Sequence, residues 1–349
     1  MRGASRLSTE IERLTWGHAD LAYPADMLLG VLRNQAHTTR VPMVATVSPA
    51  PAQPDADAVR GVVQVNLDRA GNTHLAAVSV SVDPAYRRQG IGSALLVAAE
   101  EAAAERGRTT VILDSAHNRE VSADDPRALV PPTGSGRISP DDPAAIFALS
   151  HGYTLEQGER YSILHLPLED PELVDRLHAE AAAAAGDAYR ILTWTDRCPD
   201  ELVDQYAALA TRMSTAIPVA GLDVVEDPWD AARVRDHERT LAETGRGYVL
   251  CAAEHVATGE LVAYTEIVVA VDYPEMTFQD DTLVLTGHRG HRLGMLLKTA
   301  NLNSLLRLRP GTRRIHTWNA EENEHMLAIN VALGFRPTGV VGLWQKKLD

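Results

Sequence analysis

Residues 87–92, Arg87-Arg88-Gln89-Gly90-Ile91-Gly92, put two cations, an amide and two glycines into one short segment. That combination suits a diphosphate. Arginine forks match phosphate oxygens, and a residue without a Cβ lets an anion approach the main chain. From Ser93 onward the spacing turns helical, with Leu96, Ala99 and Ala103 on one face and Gly107 as the stop. A helix starting there aims free N–H groups and the positive end of its dipole at the same anion. Ahead of the segment, Val78, Val80 and Val82 alternate with Ser79 and Ser81, the period of a strand that Pro84 ends. The elements that must position this chemistry are therefore a strand, a turn and a helix.

Two common phosphate loops do not fit. The dinucleotide fingerprint needs a third glycine at residue 95, which is leucine, and no Gly-Lys-Ser/Thr of a nucleoside triphosphate loop follows. What remains is Arg-x-x-Gly-x-Gly behind a Val-x-Val strand. It resembles the acyl-coenzyme A pyrophosphate loop of the GNAT N-acyltransferase superfamily.

A second copy of the pattern lies downstream, in Gly287-His288-Arg289-Gly290-His291-Arg292-Leu293-Gly294. Leu14-Thr15-Trp16 recurs as Leu192-Thr193-Trp194, and Gly152-Tyr153 as Gly334-Phe335. The shared order points to a duplicated domain. At 349 residues the chain is long enough for two. We expect an N-terminal domain over 1–168 with the intact loop, a linker helix over 169–188, and a C-terminal domain over 189–349 with an altered loop. In the first copy the pattern predicts an opening strand near Ile11, strands over 41–47, 62–67, 73–82 and 110–113, and an exposed hairpin tip over 48–58. In the second it predicts strands over 248–253, 261–270, 282–285 and 314–318 and a helix over 295–307. The Ala-rich residues 170–187 read as the linker helix. Residues 115–143 form a long irregular segment of the kind that covers a site or meets another domain.

Composition narrows the function classes. The formal charge is −14 with no basic stripe, which argues against a nucleic-acid partner. No apolar run reaches membrane-spanning length and no secretory leader pattern opens the chain, so we expect no membrane partner and a cytoplasmic location. The two cysteines, Cys198 and Cys251, form no ligand motif. His288 and His291 stand three apart without a third ligand, and no metal is expected.

The resemblance covers nearly the whole chain as two GNAT folds, in the tandem arrangement of mycothiol synthase. It implies an α/β (α+β) architecture, each copy a mixed, mostly antiparallel sheet flanked by helices. The sheet splays between its fourth and fifth strands to admit the donor, acetyl-CoA or another acyl-CoA. Val80 and Val82 would then offer main-chain groups to the pantetheine arm. Arg87, Arg88, Gln89, Gly90, Ile91, Gly92 and Ser93 would cradle the pyrophosphate. In the second copy Leu285, Arg289, Gly290, His291, Arg292, Leu293 and Gly294 take those places, with Arg292 where the first glycine belongs. Asn319 and Asn323 resemble the family's late Asn-rich segment. Asn330 stands where many members carry a tyrosine that protonates the leaving thiolate, and Ala148 stands there in the first copy, so neither copy shows that acid.

The implied reaction is direct attack of a small-molecule amine on the thioester. Glu266 and His74 are candidate bases and Tyr264 a candidate donor, Tyr264 and Glu266 sharing one strand face. The intact glycines favour the first copy as the coenzyme site and the second as the wall of the acceptor pocket, with the opposite division kept open. Residues 217–222 and the acids Asp223, Glu226 and Asp227 are candidate lining. Two alternatives stand beside this. The donor is an acyl carrier protein's phosphopantetheine thioester in secondary metabolism, or the chain is a non-catalytic acyl-CoA-binding module. Monomer and homodimer are both compatible with the sequence.

Overall fold

The computed structural model describes residues 1–47 and 55–348. Most of the expected hairpin tip, residues 48–54, lies outside the described residues. The first half runs α1 (Arg2–Trp16), α2 (Ala25–Arg33), β1 (Thr38–Thr46), β2 (Val59–Asp68), β3 (Leu75–Val82), α3 (Ile91–Ala104), β4 (Thr110–His117), α4 (Pro143–Ser150) and β5 (Thr154–His165). Helix α5 (Leu173–Ala185) follows, on the residues read as a linker helix. The second half runs β6 (Tyr189–Thr195), α6 (Val203–Ala216), α7 (Ala231–Glu243), β7 (Arg246–His255), β8 (Glu260–Ala270), β9 (Met276–Val284), α8 (Leu293–Leu308), β10 (Arg314–Ala320), α9 (Glu324–Leu333) and β11 (Arg336–Lys347).

One expectation fails at the start. The residues around Ile11 are helical, and Leu14-Thr15-Trp16 ends α1, whereas Leu192-Thr193-Trp194 lies in β6. Leu7, Ile11 and Leu14 recur at helical spacing, and Gly17 closes the helix at φ 79°. Residues 192–194, by contrast, pair antiparallel with β7. That pair of matching triplets therefore does not mark equivalent elements.

Among the described residues the eleven strands form one sheet in the order β1-β2-β3-β4-β11-β5-β10-β9-β8-β7-β6. The halves exchange their last strands. β11 lies between β4 and β5, and β5 pairs with β10 of the second half. The cores follow this exchange. Val340 and Trp344 of β11 are buried among Val63, Leu96 and Leu113 of the first half, while Leu164 of β5 joins Leu296 and Ile315 of the second. Helices α5 and α8 pack through Ala181, Ala185 and Leu296, and a bond of 3.0 Å joins His178 Nδ1 and Thr299 Oγ1.

Two strand pairs are parallel, β3 with β4 and β9 with β10. Each pair separates. β3 and β4 pair only from Leu75 with Thr110 to Val78 with Leu113, and β9 and β10 only from Met276 with Arg314 to Phe278 with His316. Because β4 and β10 run in opposite directions, the two gaps open toward opposite edges of the sheet. Four strand spacings separate them, about 20 Å.

Candidate active site

Each gap ends at a loop and a helix N-terminus. In the first loop Arg88 and Gly90 have φ of 62° and 84°; in the second, Gly290 and Arg292 have 88° and 55°. The two left-handed positions thus hold one arginine and one glycine in either copy, with the order reversed. Arg292 is no lesion in the backbone, because the turn keeps its shape at the modest strain cost of one non-glycine residue at positive φ. The first intrahelical bonds start at Ala94 and Leu296, so the N–H groups of 91–93 and 293–295 point out of α3 and α8. Both loops are exposed.

The glycines differ in their reasons. A Cβ on Gly90 would meet nothing within 4 Å, so its positive φ is what selects glycine. A Cβ on Gly92 would stand 3.3 Å from Phe147 of α4, and one on Gly294 would stand 3.0 Å from Ile329 of α9. Those two residues let the helices pack, which corrects the reading of Gly92 as room for phosphate. Arg292 reaches Glu180 on α5 at 3.2 Å, a half-exposed pair that a phosphate can replace at little cost. Arg289 donates through Nε to the Val284 carbonyl at 3.2 Å, as Arg87 does to Val82. His291 and His288 gather around Tyr189, whose hydroxyl lies 3.1 Å from His288 Nδ1. Leu285 donates its N–H to Val262 and packs on the core.

The first gap is bridged. Asp83 donates its N–H to Arg60 of β2 at 2.9 Å, and the β2–β3 register is unbroken, so even-numbered residues of β3 turn their main chain toward β4. Val80 and Val82 therefore face the gap. Where the strands part, however, the Ser79 hydroxyl bonds to the Asp114 carboxylate and ties β3 to β4. Ser93 Oγ lies 3.0 Å from His151 Nε2. Beyond the tie, a polar cleft of about 1160 Å³ opens at the end of β4, walled by the long segment after His117 and the end of α1. His117 is held there between Ser115 Oγ at 2.7 Å and Asp142 at 3.1 Å.

The second gap is tied at the equivalent point, the Thr317 hydroxyl of β10 donating to the Gln279 carbonyl of β9 at 3.2 Å, but it is differently built. Between Thr265 opposite Thr282 and Ile267 opposite Gln279, two residues of β9, Asp280 and Asp281, oppose Glu266 alone. This is a β-bulge, which takes its main chain out of the ladder and re-aims a side chain. A cavity of about 250 Å³ lies against it, lined by Asp280, Asp281, Glu159, Lys298, Asn319, Asn323, Trp318, Met213, Ile217 and Pro218 among others. Lys298 comes from α8 on one face of the sheet and Met213 from α6 on the other.

The ionisable groups of this cavity are shifted toward neutrality. Burial, then the neighbouring Glu322 and Asp114 carboxylates, push Glu159 up to about 7. Burial raises both Asp280 and Asp281, repulsion from Asp281 adds to the rise at Asp280, and the Tyr264 hydroxyl partly offsets the rise at Asp281 by donating to it at 3.0 Å. Burial alone brings Lys298 down to about 7. Its Nζ donates to Asn330 Oδ1 at 2.9 Å, and Asn330 Nδ2 donates to Asn319 Oδ1 at 2.6 Å.

The expected catalytic residues scatter. Tyr264 touches the cavity only through Asp281. Glu266 stands behind the bulge, buried, with Tyr206 donating to it at 2.9 Å, and it does not line the cavity. His74 sits at the paired end of β3, away from the gap, 2.7 Å from the Asp223 carbonyl. Of the suggested acceptor lining, Ile217 and Pro218 reach the cavity. Asp223 instead pairs with Lys347 and Asp227 with Arg233. Asn323 borders the cavity and also caps α9, accepting from the Met326 N–H at 3.3 Å. Replacing Asn323 by alanine is expected to cost about 1 kcal/mol in urea denaturation. Unchanged stability with lost coenzyme binding would make it a ligand contact instead.

Lys298, Glu159 and the bulge were not among the residues singled out by motif or spacing. The break in apolar alternation at Gln279-Asp280-Asp281 was the available signal for the last.

This doubled strand–loop–helix unit with parting parallel strands defines a class, the GNAT acyltransferases. Residues 29–124 match the model of the acetyltransferase (GNAT) family. A tandem GNAT protein from the clavulanic acid biosynthesis pathway, in a form without acetyl-CoA, aligns over 99% of this chain and 96% of its own at TM-score 0.71 and 27% identity. A GCN5-related N-acetyltransferase from Sphaerobacter thermophilus aligns over 99% and 91% at TM-score 0.62 and 14% identity, a likeness of fold. No curated protein matches. Residues 29–124 thus match a GNAT acetyltransferase domain, and over nearly its whole length the chain is similar in fold to a tandem GNAT protein. Among the described residues no helix is long and apolar enough to cross a membrane.

Proposed function

We propose that the protein transfers an acetyl or other acyl group from acyl-CoA to the amine of a small molecule, and that the bond is made in the second gap. The observation that carries this is the bulge at Asp280–Asp281 beside a cavity that holds Glu159 and Lys298, the latter on the helix that follows the second loop. The intact glycines alone favour the first copy; the bulge and the ionisable groups beside it favour the second. On this reading the pyrophosphate rests on residues 289–294 and the thioester enters between β9 and β10.

The amine nitrogen attacks the thioester carbonyl carbon, forming C–N as the carbonyl oxygen takes up charge. A main-chain N–H released by the bulge is suited to hold that oxyanion. Collapse breaks C–S, Glu159 takes the proton leaving nitrogen, and the thiolate departs. Ile217, Pro218 and Met213 form the apolar side of the acceptor pocket and the Glu159 and Asp280 carboxyls its polar side.

Matched charge substitutions test the placement, since aspartate tolerates a left-handed backbone. Calorimetry and thiol release with acetyl-CoA and an amine panel would be measured on Gly90→Asp and Arg292→Asp. We expect Arg292→Asp to lose turnover at least tenfold, and Gly90→Asp to lose a coenzyme binding event while thiol release persists. Turnover lost only in Gly90→Asp would move the chemistry to the first gap.

One observation favours a second donor. Arg292 is tied to Glu180 and must exchange that partner for a phosphate. A carrier protein's phosphopantetheine arm brings one phosphodiester in place of a diphosphate and makes the smaller demand. Acyl-carrier donors that outpace acyl-CoA in the same assay would select it.

A further inference from the structure

We infer that Lys298 delivers the proton to the departing thiolate in the second gap; the inference rests on the acyl-transfer reading above. Among the described residues lining the cavity, Lys298 is the one cation. It is 2% exposed, so burying it has to be offset by a partner. Its position in α8 directs it usefully. Helix side chains lean toward the N-terminus, and Lys298 follows the helix start at Leu293 by little more than one turn. The side chain therefore leans back toward the end of α8 that receives the pyrophosphate, along the line a pantetheine arm would follow.

Its surroundings fit proton transfer better than fixed pairing. No carboxylate bonds Lys298. Its hydrogen-bond partner is the neutral amide of Asn330, held in turn by Asn319, and the Phe335 ring lies 6.0 Å from Nζ. The titratable groups on packed elements are Asp280 and Asp281 of β9, Glu159 of β5, His178 of α5, which bonds Thr299, and Cys251 of β7, which lies 3.7 Å from Asn301. An ammonium held by one amide keeps protons free for a sulfur. Burial brings it near neutrality, which matches it to a thiolate acceptor. As C–S breaks, the electron pair goes to sulfur, an N–H proton moves from Lys298 to it, and neutral Lys298 recovers that proton from solvent.

The test uses free coenzyme A as probe, so it needs no acceptor. The ultraviolet absorbance of the thiolate would be titrated with the coenzyme bound to wild type, Lys298→Met and Lys298→Arg. Wild type is expected to lower the thiol pKa by a unit or more. Lys298→Arg should keep that lowering, holding charge without a transferable proton, and Lys298→Met should lose it. In turnover, Lys298→Met is expected to fall roughly ten- to hundredfold, and Lys298→Arg to lose the basic limb of the pH profile. An equal thiol pKa in wild type and Lys298→Met overturns the inference. A lowered thiol pKa without acylation of any amine overturns the acceptor reading and leaves Lys298 at the sulfur.

Discussion

Glutamine at position 159 is expected to reduce kcat by roughly one hundred- to ten-thousandfold, the span of a lost general base, with the KM for acyl-CoA within a few-fold of wild type. Glu159 lies on β5, in the register opposite Ala320, and reaches the cavity only because the halves exchange their last strands. On the proposed reading the second site thus uses a base supplied by the first half. Burial, reinforced by Glu322 and Asp114, brings its carboxyl to about 7. A raised carboxyl is protonated below that value and basic above it. Wild-type kcat should therefore climb through pH 7, and the Glu159→Gln profile should lack that climb and keep only the limb of Lys298. Asp280 is the rival, on the bulge itself. If Glu159→Gln kept full rate and Asp280→Asn collapsed it, the proton would go to β9.

The composite site explains what the sequence could and could not disclose. Turn chemistry and helical spacing are local, so Arg87–Gly92, its duplicate, α3, α8 and most strands were legible from neighbours in the chain. Strand exchange is not local. Nothing in residues 154–165 or 336–347 marks which half they pair with, since pattern sets the buried face and not the partner. Lys298 was hidden for a related reason. Its helix is apolar around most of its circumference, Leu293, Met295, Leu296 and Leu297 all being buried, and a lysine in such a helix has no solvated face to occupy. That pattern was readable, but the direction of the side chain needed β9 and α9 in place. Glu266 misled in the opposite sense. Strand alternation put it on a face, and the face proved to be packed beneath α6 rather than open to substrate.

Glutamine at position 266 should consequently stabilise the protein in alkaline solution. Glu266 is 4% exposed, and burial, followed by Asp280, lifts its carboxyl to about 8 against the bond from Tyr206. A carboxyl raised in the folded state contributes its full stability below its unfolded value of 4.5 and loses it as the pH climbs through about 8. Each pH unit separating the folded from the unfolded value is worth about 1.4 kcal/mol, so the charged form costs roughly 3–5 kcal/mol above that window. Glutamine has the same shape, still accepts from Tyr206 and never charges. Urea denaturation at pH 5 should therefore show little difference between the two proteins, and at pH 9 a variant more stable by a few kcal/mol. Lys298 slopes the other way between about 7 and 10.5, since its folded value is depressed, but both proteins carry it and the difference removes it. Equal stability at pH 9 would mean that Glu266 is hydrated when folded. A hundredfold loss of turnover in the variant, with its stability raised, would return Glu266 to the reacting groups despite the bulge that stands between it and the cavity.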